Sequence, residues 1–316
     1  MGSLTAEGAK LVQGSRIYIG PEPLPEFVSA VSKSGCTVVE SIGEAQGVIW
    51  FGRDPAPLVG VIPPGVEWLQ IPDAGVERWV NAGFLDLDLV MTSAGGVYGQ
   101  QVAEHALALI LACAHRLVTF ARATSWAPQE AEVVGVFGLT VAVIGSGGIG
   151  SALVPMLKPL GCSVLVVNRS GTKVPEANET FIFGELDSIL PEVDILVLAA
   201  PSTEETVGLI NLRTMQLMRP SAMLVNVARG NLIVTADLLV ALEQGLLSSV
   251  GLDVTDPEPL PDGHPLFGYS RVLITPHVAN PPARKRSTFA KHISANCELF
   301  RTGRKLNCIV SRGRGY

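Results

Sequence analysis

Three short segments in the second half of the chain carry residue types suited to acid–base and carboxylate chemistry. Val225-Asn226-Val227-Ala228-Arg229-Gly230 holds an arginine, the run Gly251 to Leu260 holds Asp253 and Glu258, and Ile274-Thr275-Pro276-His277-Val278-Ala279-Asn280 holds a histidine. Each begins in an apolar run of strand length. In an open parallel sheet, residues just past the strand carboxyl ends gather at one crevice, so Arg229, Glu258 and His277 are expected to meet there. An imidazole can deliver a proton near neutral pH. A neighbouring carboxylate would hold His277 in orientation and favour the imidazolium. The guanidinium of Arg229 can bind a substrate carboxylate through a fork of hydrogen bonds and polarise an adjacent carbonyl. The three together suit proton delivery to an oxygen on which negative charge is growing.

A second set of residues could cradle phosphates. Gly145-Ser146-Gly147-Gly148-Ile149-Gly150 satisfies the spacing of a dinucleotide-binding turn. It follows the apolar strand Thr140–Ile144 and precedes a helical stretch read as Ser151 to Leu160, which is the context that such a turn needs. Gly145 permits the tight turn, Gly147 lets the backbone approach a pyrophosphate, and Gly150 lets helix pack on strand, while the helix N-terminus offers amide donors. The next strand ends at Asn168-Arg169-Ser170, followed by Gly171, Thr172 and Lys173. NAD enzymes usually place an acidic residue at this point for the ribose 2′-hydroxyl. Here a guanidinium and hydroxyls stand instead and suit a 2′-phosphate, so the expected preference is NADP, with NAD possible if Arg169 is only a solvated loop residue.

The elements that must position these groups alternate. Arg16–Gly20, Thr37–Glu40, Gly47–Phe51, Glu67–Ile71 and Leu89–Thr92 read as strands, with a helix over Pro25–Ser34. Tyr98 to Arg116 has helical periodicity and is expected to bridge two domains. After it, Thr140–Ile144, Ser163–Val167, Asp194–Ala199, Ala222–Val227, Ser249–Val254 and Val272–Thr275 are apolar runs without period-two alternation, as fully buried parallel strands are. Thr235 to Gln244 reads as a helix with Thr235 as N-cap and Gly245 as its stop. A last helix, Pro282 to Arg301, is expected to return to the first domain. The fold class is therefore α/β with two doubly wound parallel-sheet domains. One is a flavodoxin-like substrate domain, discontinuous over 1–97 and 282–316. The other is a Rossmann-type cofactor domain over 98–281.

Composition sets the bounds. The 316 residues are 47 % apolar and only 16 % charged, enough for two cores and too apolar for a disordered chain. A formal net charge of −6 gives no basic face for nucleic acid. The five cysteines, Cys36, Cys113, Cys162, Cys297 and Cys308, form no Cys-x-x-Cys pair, which reads as a reducing compartment without disulfides, and no cluster has metal-ligand spacing. No stretch is long and apolar enough to span a bilayer, and Met1 to Glu7 lacks the pattern of a signal peptide, so a cytoplasmic protein is expected. His105 and His115 are read as packing or capping residues, His264 as structuring its loop, and His292 as a helix-surface residue.

The segments around Arg229, Glu258 and His277 resemble the D-isomer-specific 2-hydroxyacid dehydrogenases, the group that includes glyoxylate and hydroxypyruvate reductases. The likeness runs from about Leu69 to His277. It also takes in Val102-Ala103-Glu104-His105-Ala106-Leu107 and the Asp262, His264, Pro265, Leu266 stretch. The resemblance implies reduction of a small 2-keto acid by hydride transfer from a nicotinamide, with His277 as proton donor, Glu258 as its partner and Arg229 on the substrate. It implies that the backbone amides of Ala74 and Gly75 bind the substrate carboxylate and that Asp253 contacts the nicotinamide carboxamide. Val102, Pro201, Thr206, Val227 and Ala228 would line the cofactor groove, and the chain would form a homodimer through the helix after Tyr98. Phe267 stands where the family often has tryptophan. Glu258 argues against formate dehydrogenases, and the short tail against many phosphoglycerate dehydrogenases. A cofactor-sensing corepressor of the same fold is the alternative from another class.

Overall fold

A computed structural model describes residues 14–126 and 133–311. The reading of Met1 to Glu7 lies outside the described residues. The chain divides into two compact units, Met1–Tyr98 with Pro282–Tyr316, and Gly99–Pro281.

Unit 1 contains the strands β1 (Arg16–Gly20), β2 (Thr37–Val39), β3 (Gly47–Trp50), β4 (Trp68–Gln70) and β5 (Val90–Thr92). They pair in parallel in the order β2-β1-β3-β4-β5, the flavodoxin-like order. β3 and β4 are buried along their whole length, as central parallel strands must be. Helix α1 (Pro25–Lys33) has proline in its first turn and buries Phe27, Ala30 and Val31. A short helix, α2 (Glu77–Asn81), follows β4; its five residues are too few to leave a periodic signal in the sequence. The C-terminal helix Pro282–Arg301 belongs to this unit and packs on α1. Its Phe289 ring lies 5.6 Å from that of Phe27 and 5.4 Å from that of Phe51, and Phe300 lies 5.2 Å from Trp68.

A buried polar network joins this helix to the sheet. The Trp68 indole donates to Thr92 Oγ1 at 2.8 Å, and that hydroxyl donates to Gln70 Oε1 at 2.9 Å. Asn296 Nδ2 donates to the same Gln70 oxygen at 2.9 Å, while Asn296 Oδ1 accepts from the Asn307 amide at 2.9 Å. Gln70 Nε2 donates to the carbonyls of Ile71 and Ser93. Gln70, Thr92 and Asn296 have no exposed surface. Buried amides are stable only when partnered, and here each has partners. His292, one turn before Asn296, is held as well: its ring is partly buried and Nε2 lies 3.1 Å from the Ser93 carbonyl. This corrects its reading as a surface residue. Burial lowers its pKa more than the carbonyl contact raises it.

Unit 2 contains β6 (Thr140–Ile144), β7 (Ser163–Val167), β8 (Glu179–Phe181), β9 (Ile195–Leu198), β10 (Met223–Asn226), β11 (Ser249–Leu252) and β12 (Val272–Ile274). All neighbours are parallel, in the order β12-β11-β10-β9-β6-β7-β8, which reverses direction between β6 and β9. This is the doubly wound nucleotide-binding topology with one further strand. The helices are α3 (Gly99–Ala114), α4 (Leu117–Ala121), α5 (Gly148–Leu157), α6 (Leu186–Ile189), α7 (Leu212–Leu217) and α8 (Thr235–Glu243). α3 packs against α5 and across β10, β11 and β12.

Beyond shifts of one or two residues at element ends, three readings are corrected. α5 starts at Gly148 rather than Ser151, because Gly148, Ile149 and Gly150 already adopt helical backbone. Thr235 is the first residue of α8 and not its cap: Val234 takes the cap position, and the Thr235 hydroxyl donates to the Asp256 carbonyl at 2.6 Å. β8 was not anticipated, because Glu179-Thr180-Phe181 is a short edge strand with no apolar run. Gly245, at φ +68°, does stop α8.

Replacing Asn296 with leucine leaves the buried Gln70 Oε1 short of one partner and removes the partner of the Asn307 amide. Asn296→Leu is expected to cost about 2–3 kcal/mol of stability, read by urea unfolding. A loss below about 0.5 kcal/mol would show that the network does not tie the last helix down.

Candidate active site

The segments singled out in unit 2 all leave carboxyl ends of its strands. β6 leads into the glycine turn and β7 into Asn168. β9 leads into Ala199 to Thr206, β10 into Val227 to Arg229, β11 into Asp253 to Glu258, and β12 into Thr275 to His277.

The glycine turn has the form that a bound pyrophosphate needs. Gly145 lies at φ +106°, against the backbone of Ala199 and Ala200. A Cβ on Gly150 would stand 2.0 Å from the Gly145 carbonyl, so only glycine lets α5 come this close to the turn. At Gly147, the residue that caps α5, a Cβ would meet nothing within 4 Å. The backbone is therefore open beside Gly147, at the N-terminus of a ten-residue helix, where a phosphate is favoured by donors and dipole together. The residues fit a dinucleotide. Val102, Val227 and Ala228 are buried. Thr206 is buried too, and its hydroxyl closes the Pro201–Thr206 loop by donating to the Pro201 carbonyl at 2.7 Å while accepting from the Thr203 amide at 2.8 Å.

After β7, Asn168 is buried and shapes its own loop. Its Oδ1 accepts from the Ser170 amide at 3.1 Å and its Nδ2 donates to the Thr172 carbonyl at 2.9 Å. Arg169, Ser170, Thr172 and Lys173 are exposed around it, and none of the residues 168–173 is acidic.

Arg229 and Glu258 come from loops that touch through their backbones. A Cβ at Gly230 would stand 1.9 Å from the Thr255 carbonyl, so the Arg229 loop lies directly on the loop leading to Glu258. Asn226 folds the first of these loops, accepting from the Ala228 amide at 3.0 Å and donating to the Arg229 carbonyl at 2.8 Å. His277 Nδ1 lies 2.7 Å from Glu258 Oε1, with both side chains partly open to solvent. With Nδ1 turned to the carboxylate, Nε2 is the nitrogen left for outside chemistry.

His277 stands on an unusual backbone, at φ +53°, a conformation that residues other than glycine adopt rarely. Asp253 holds it there. The Asp253 carbonyl accepts from the His277 amide at 2.9 Å. The Asp253 carboxylate accepts from the amides of Val278 at 3.0 Å and Ala279 at 3.1 Å, and from the Thr275 hydroxyl at 2.6 Å. His105, on α3, completes the arrangement. Its Nε2 lies 2.9 Å from Thr275 Oγ1 and 3.3 Å from Asp253 Oδ1. Burial works to raise the Asp253 pKa, but hydrogen bonds from His105, Thr275, Val278 and Ala279 outweigh it and hold it below 3.8. Gln101, a turn earlier on α3, donates to Asn280. Sequence reasoning passed over His105, since its partners lie far along the chain and nothing local marks it. His264 accepts from the Leu266 amide through Nδ1 at 3.3 Å and so does structure its loop.

Ala74 and Gly75 belong to unit 1, in the loop after β4, where Ala74 is exposed. Among the described residues no group of three His, Cys, Asp or Glu side chains could hold a metal ion, and no helix is long and apolar enough to cross a membrane.

A doubly wound sheet, a glycine turn open to a pyrophosphate and a carboxylate-held imidazole on the same sheet edge define a nicotinamide-dependent oxidoreductase. Residues 107–279 match the model of the D-isomer specific 2-hydroxyacid dehydrogenase NAD-binding domain, and the chain belongs to that family. It is 37 % identical to a protein in the proB 3′ region of Corynebacterium melassecola, over 91 % of this chain and 95 % of the other. It is 34 % identical to the glyoxylate reductase of Thermococcus gammatolerans, over 71 % of this chain and 70 % of that one. Among solved structures it is similar to a D-isomer specific 2-hydroxyacid dehydrogenase from Xanthobacter autotrophicus Py2 in complex with NADPH and MES. The TM-score is 0.83 and the identity 26 %, with 96 % of this chain and all of that chain covered.

Asp253→Asn is expected to lose about 2 kcal/mol of stability at pH 7 by removing charged hydrogen bonds to the His277 turn. Because the folded-state pKa is depressed, that contribution is full above 3.8, the ordinary value, and is lost as pH falls through the lower folded value. Unfolding curves of both proteins should therefore converge in acid. A gap that stays constant from pH 7 into strong acid would contradict the clamp.

Proposed function

We propose that the protein reduces a small 2-keto acid, such as glyoxylate or hydroxypyruvate, to the D-2-hydroxy acid, with NADPH preferred over NADH. The 2.7 Å contact between His277 Nδ1 and Glu258 Oε1, on the sheet edge that carries the glycine turn, supports this reading best. A nicotinamide, when bound, supplies the hydride. His277 delivers the proton from Nε2 to the keto oxygen as negative charge grows there. Glu258 keeps the ring oriented through Nδ1. Arg229 takes the substrate carboxylate and polarises the keto oxygen, with the Ala74 and Gly75 amides as further donors to the carboxylate. Asp253 acts in two ways, on the nicotinamide carboxamide and through the turn that presents His277. Gly145, Gly147, Gly148, Ile149 and Gly150 cradle the pyrophosphate, and Val102, Pro201, Thr206, Val227 and Ala228 line the groove.

Arg169 and Ser170, with Asn168 shaping their loop, are assigned to the 2′-phosphate. The support is an exposed guanidinium at the end of β7 with no carboxylate among residues 168–173 to repel the phosphate. The protein is further proposed to act in the cytoplasm as a homodimer, with α3 as a contact.

The test is NADPH oxidation followed by absorbance with glyoxylate and hydroxypyruvate, repeated with NADH. His277→Ala is expected to lower kcat by about 100- to 10 000-fold. Arg169→Asp is expected to move the preference toward NADH. Faster turnover with NADH in the unaltered protein would refute the cofactor preference and leave the mechanism standing. Tight cofactor binding without turnover of any keto acid would favour the corepressor-like reading.

A further inference from the structure

The carboxyl ends of the strands in unit 1 hold a charged cluster that the roles above leave unused. Arg53 follows β3, Asp73 follows β4, and Tyr98 ends the segment after β5. Lys285 joins them from the first turn of the helix Pro282–Arg301. Lys285 Nζ lies 3.7 Å and Arg53 Nε 3.9 Å from the same oxygen of Asp73, while the Trp79 indole donates to the other oxygen at 3.4 Å. The ammonium also lies 5.6 Å from the centre of the Phe51 ring and 5.8 Å from that of Tyr98. The Tyr98 hydroxyl donates to the Pro72 carbonyl at 2.7 Å, fixing the loop that continues into Asp73, Ala74 and Gly75.

Two cations thus share one carboxylate, and the cluster has positive charge to spare. The next charged side chain on the helix, Arg286, is matched separately by Glu26 at 3.7 Å. A charge-assisted hydrogen bond closes to about 2.7–2.9 Å. Neither cation does so, and Arg53 keeps 67 % of its side chain exposed whereas Lys285 keeps only 19 %. Burial lowers the Lys285 pKa, Asp73 raises it and Arg53 lowers it again. A half-buried ammonium with one loosely held, shared partner is stabilised by a further anion.

We propose that Lys285 and Arg53 bind a second anionic group of the substrate, so that the preferred class is a short 2-keto acid with a terminal carboxylate. The inference rests on the keto-acid reductase reading and on the assignment of Ala74 and Gly75 to the first carboxylate. Asp73 immediately precedes those residues, so the two cations flank the loop assigned to the first carboxylate. Asp73 holds the cations apart and screens them from each other until the second carboxylate arrives.

The experiment compares kcat/KM, with NADPH, for oxaloacetate and 2-oxoglutarate against 2-oxobutyrate and 2-oxovalerate, which match them in chain length but end in a methyl group. The dicarboxylic acids are expected to be favoured by about tenfold or more, equivalent to about 1.4 kcal/mol. Lys285→Met should reduce that preference ratio at least about fivefold, and Lys285→Arg should retain most of it. Arg53→Gln, at a position where 67 % of the side chain is exposed, should lower the ratio in the same direction. An unaltered protein that reduces the methyl-ended acids as well as the dicarboxylic ones overturns this inference alone. So does a ratio unchanged in both Lys285→Met and Arg53→Gln. A protein that reduces none of the four, nor glyoxylate, overturns the reductase reading and this inference with it.

Discussion

Every strand of the two sheets runs parallel to its neighbours, and that constraint decides where chemistry can sit. Parallel strands need crossovers, the crossovers cover both faces with helices, and the edge at the carboxyl ends is left as the place where loops are free to vary. The glycine turn, the Arg229 loop, the Glu258 loop and the His277 turn all leave that edge of one sheet. Phe51 to Arg53 and Ile71 to Gly75 leave that edge of the other. The central strands of unit 2 can then stay apolar: Val141 to Ile144 and Ile195 to Leu198 have no exposed surface.

Once the loops are gathered, their spacing is set by backbone contacts. Gly230 against Thr255 and Gly150 against Gly145 are approaches that no side chain could survive. They hold the loops in direct contact, and the side chains are placed from that frame. The His277 turn is held differently. Its backbone conformation is unfavourable by itself, and four hydrogen bonds to the Asp253 carboxylate and carbonyl outweigh the cost. A reactive imidazole is thereby presented by a rigid turn whose rigidity comes from a buried neighbour.

Much of this was legible in the sequence because apolar runs bounded by turn residues are a strong signal for buried parallel strands. The Gly145–Gly150 turn and the residues Arg229, Glu258 and His277 were legible from type and order. The short elements were not. Glu179–Phe181 pairs only at the sheet edge, and α2, α4, α6 and α7 are held by tertiary packing rather than by a periodic face. His105 and His292 were misjudged for one reason: each is defined by a partner distant in the chain, Thr275 with Asp253 for the first and Ser93 for the second. Thr235 was misread because threonine before a helix usually caps it, and here the Asp256 carbonyl competes for its hydroxyl.

The return of the last helix to unit 1 has a consequence for the order of events during synthesis. Unit 2 is one continuous stretch, Gly99–Pro281, and all of it is synthesised before the helix Pro282–Arg301. Unit 1 begins first and is completed last. Until Asn296 arrives, Gln70 lacks one of its buried partners, and until Phe289 arrives the rings of Phe27 and Phe51 lack the third member of their cluster. The nascent protein therefore carries an unfinished apolar surface on its N-terminal portion through the whole translation of the cofactor-binding portion. This is the interval in which a growing chain depends most on chaperones.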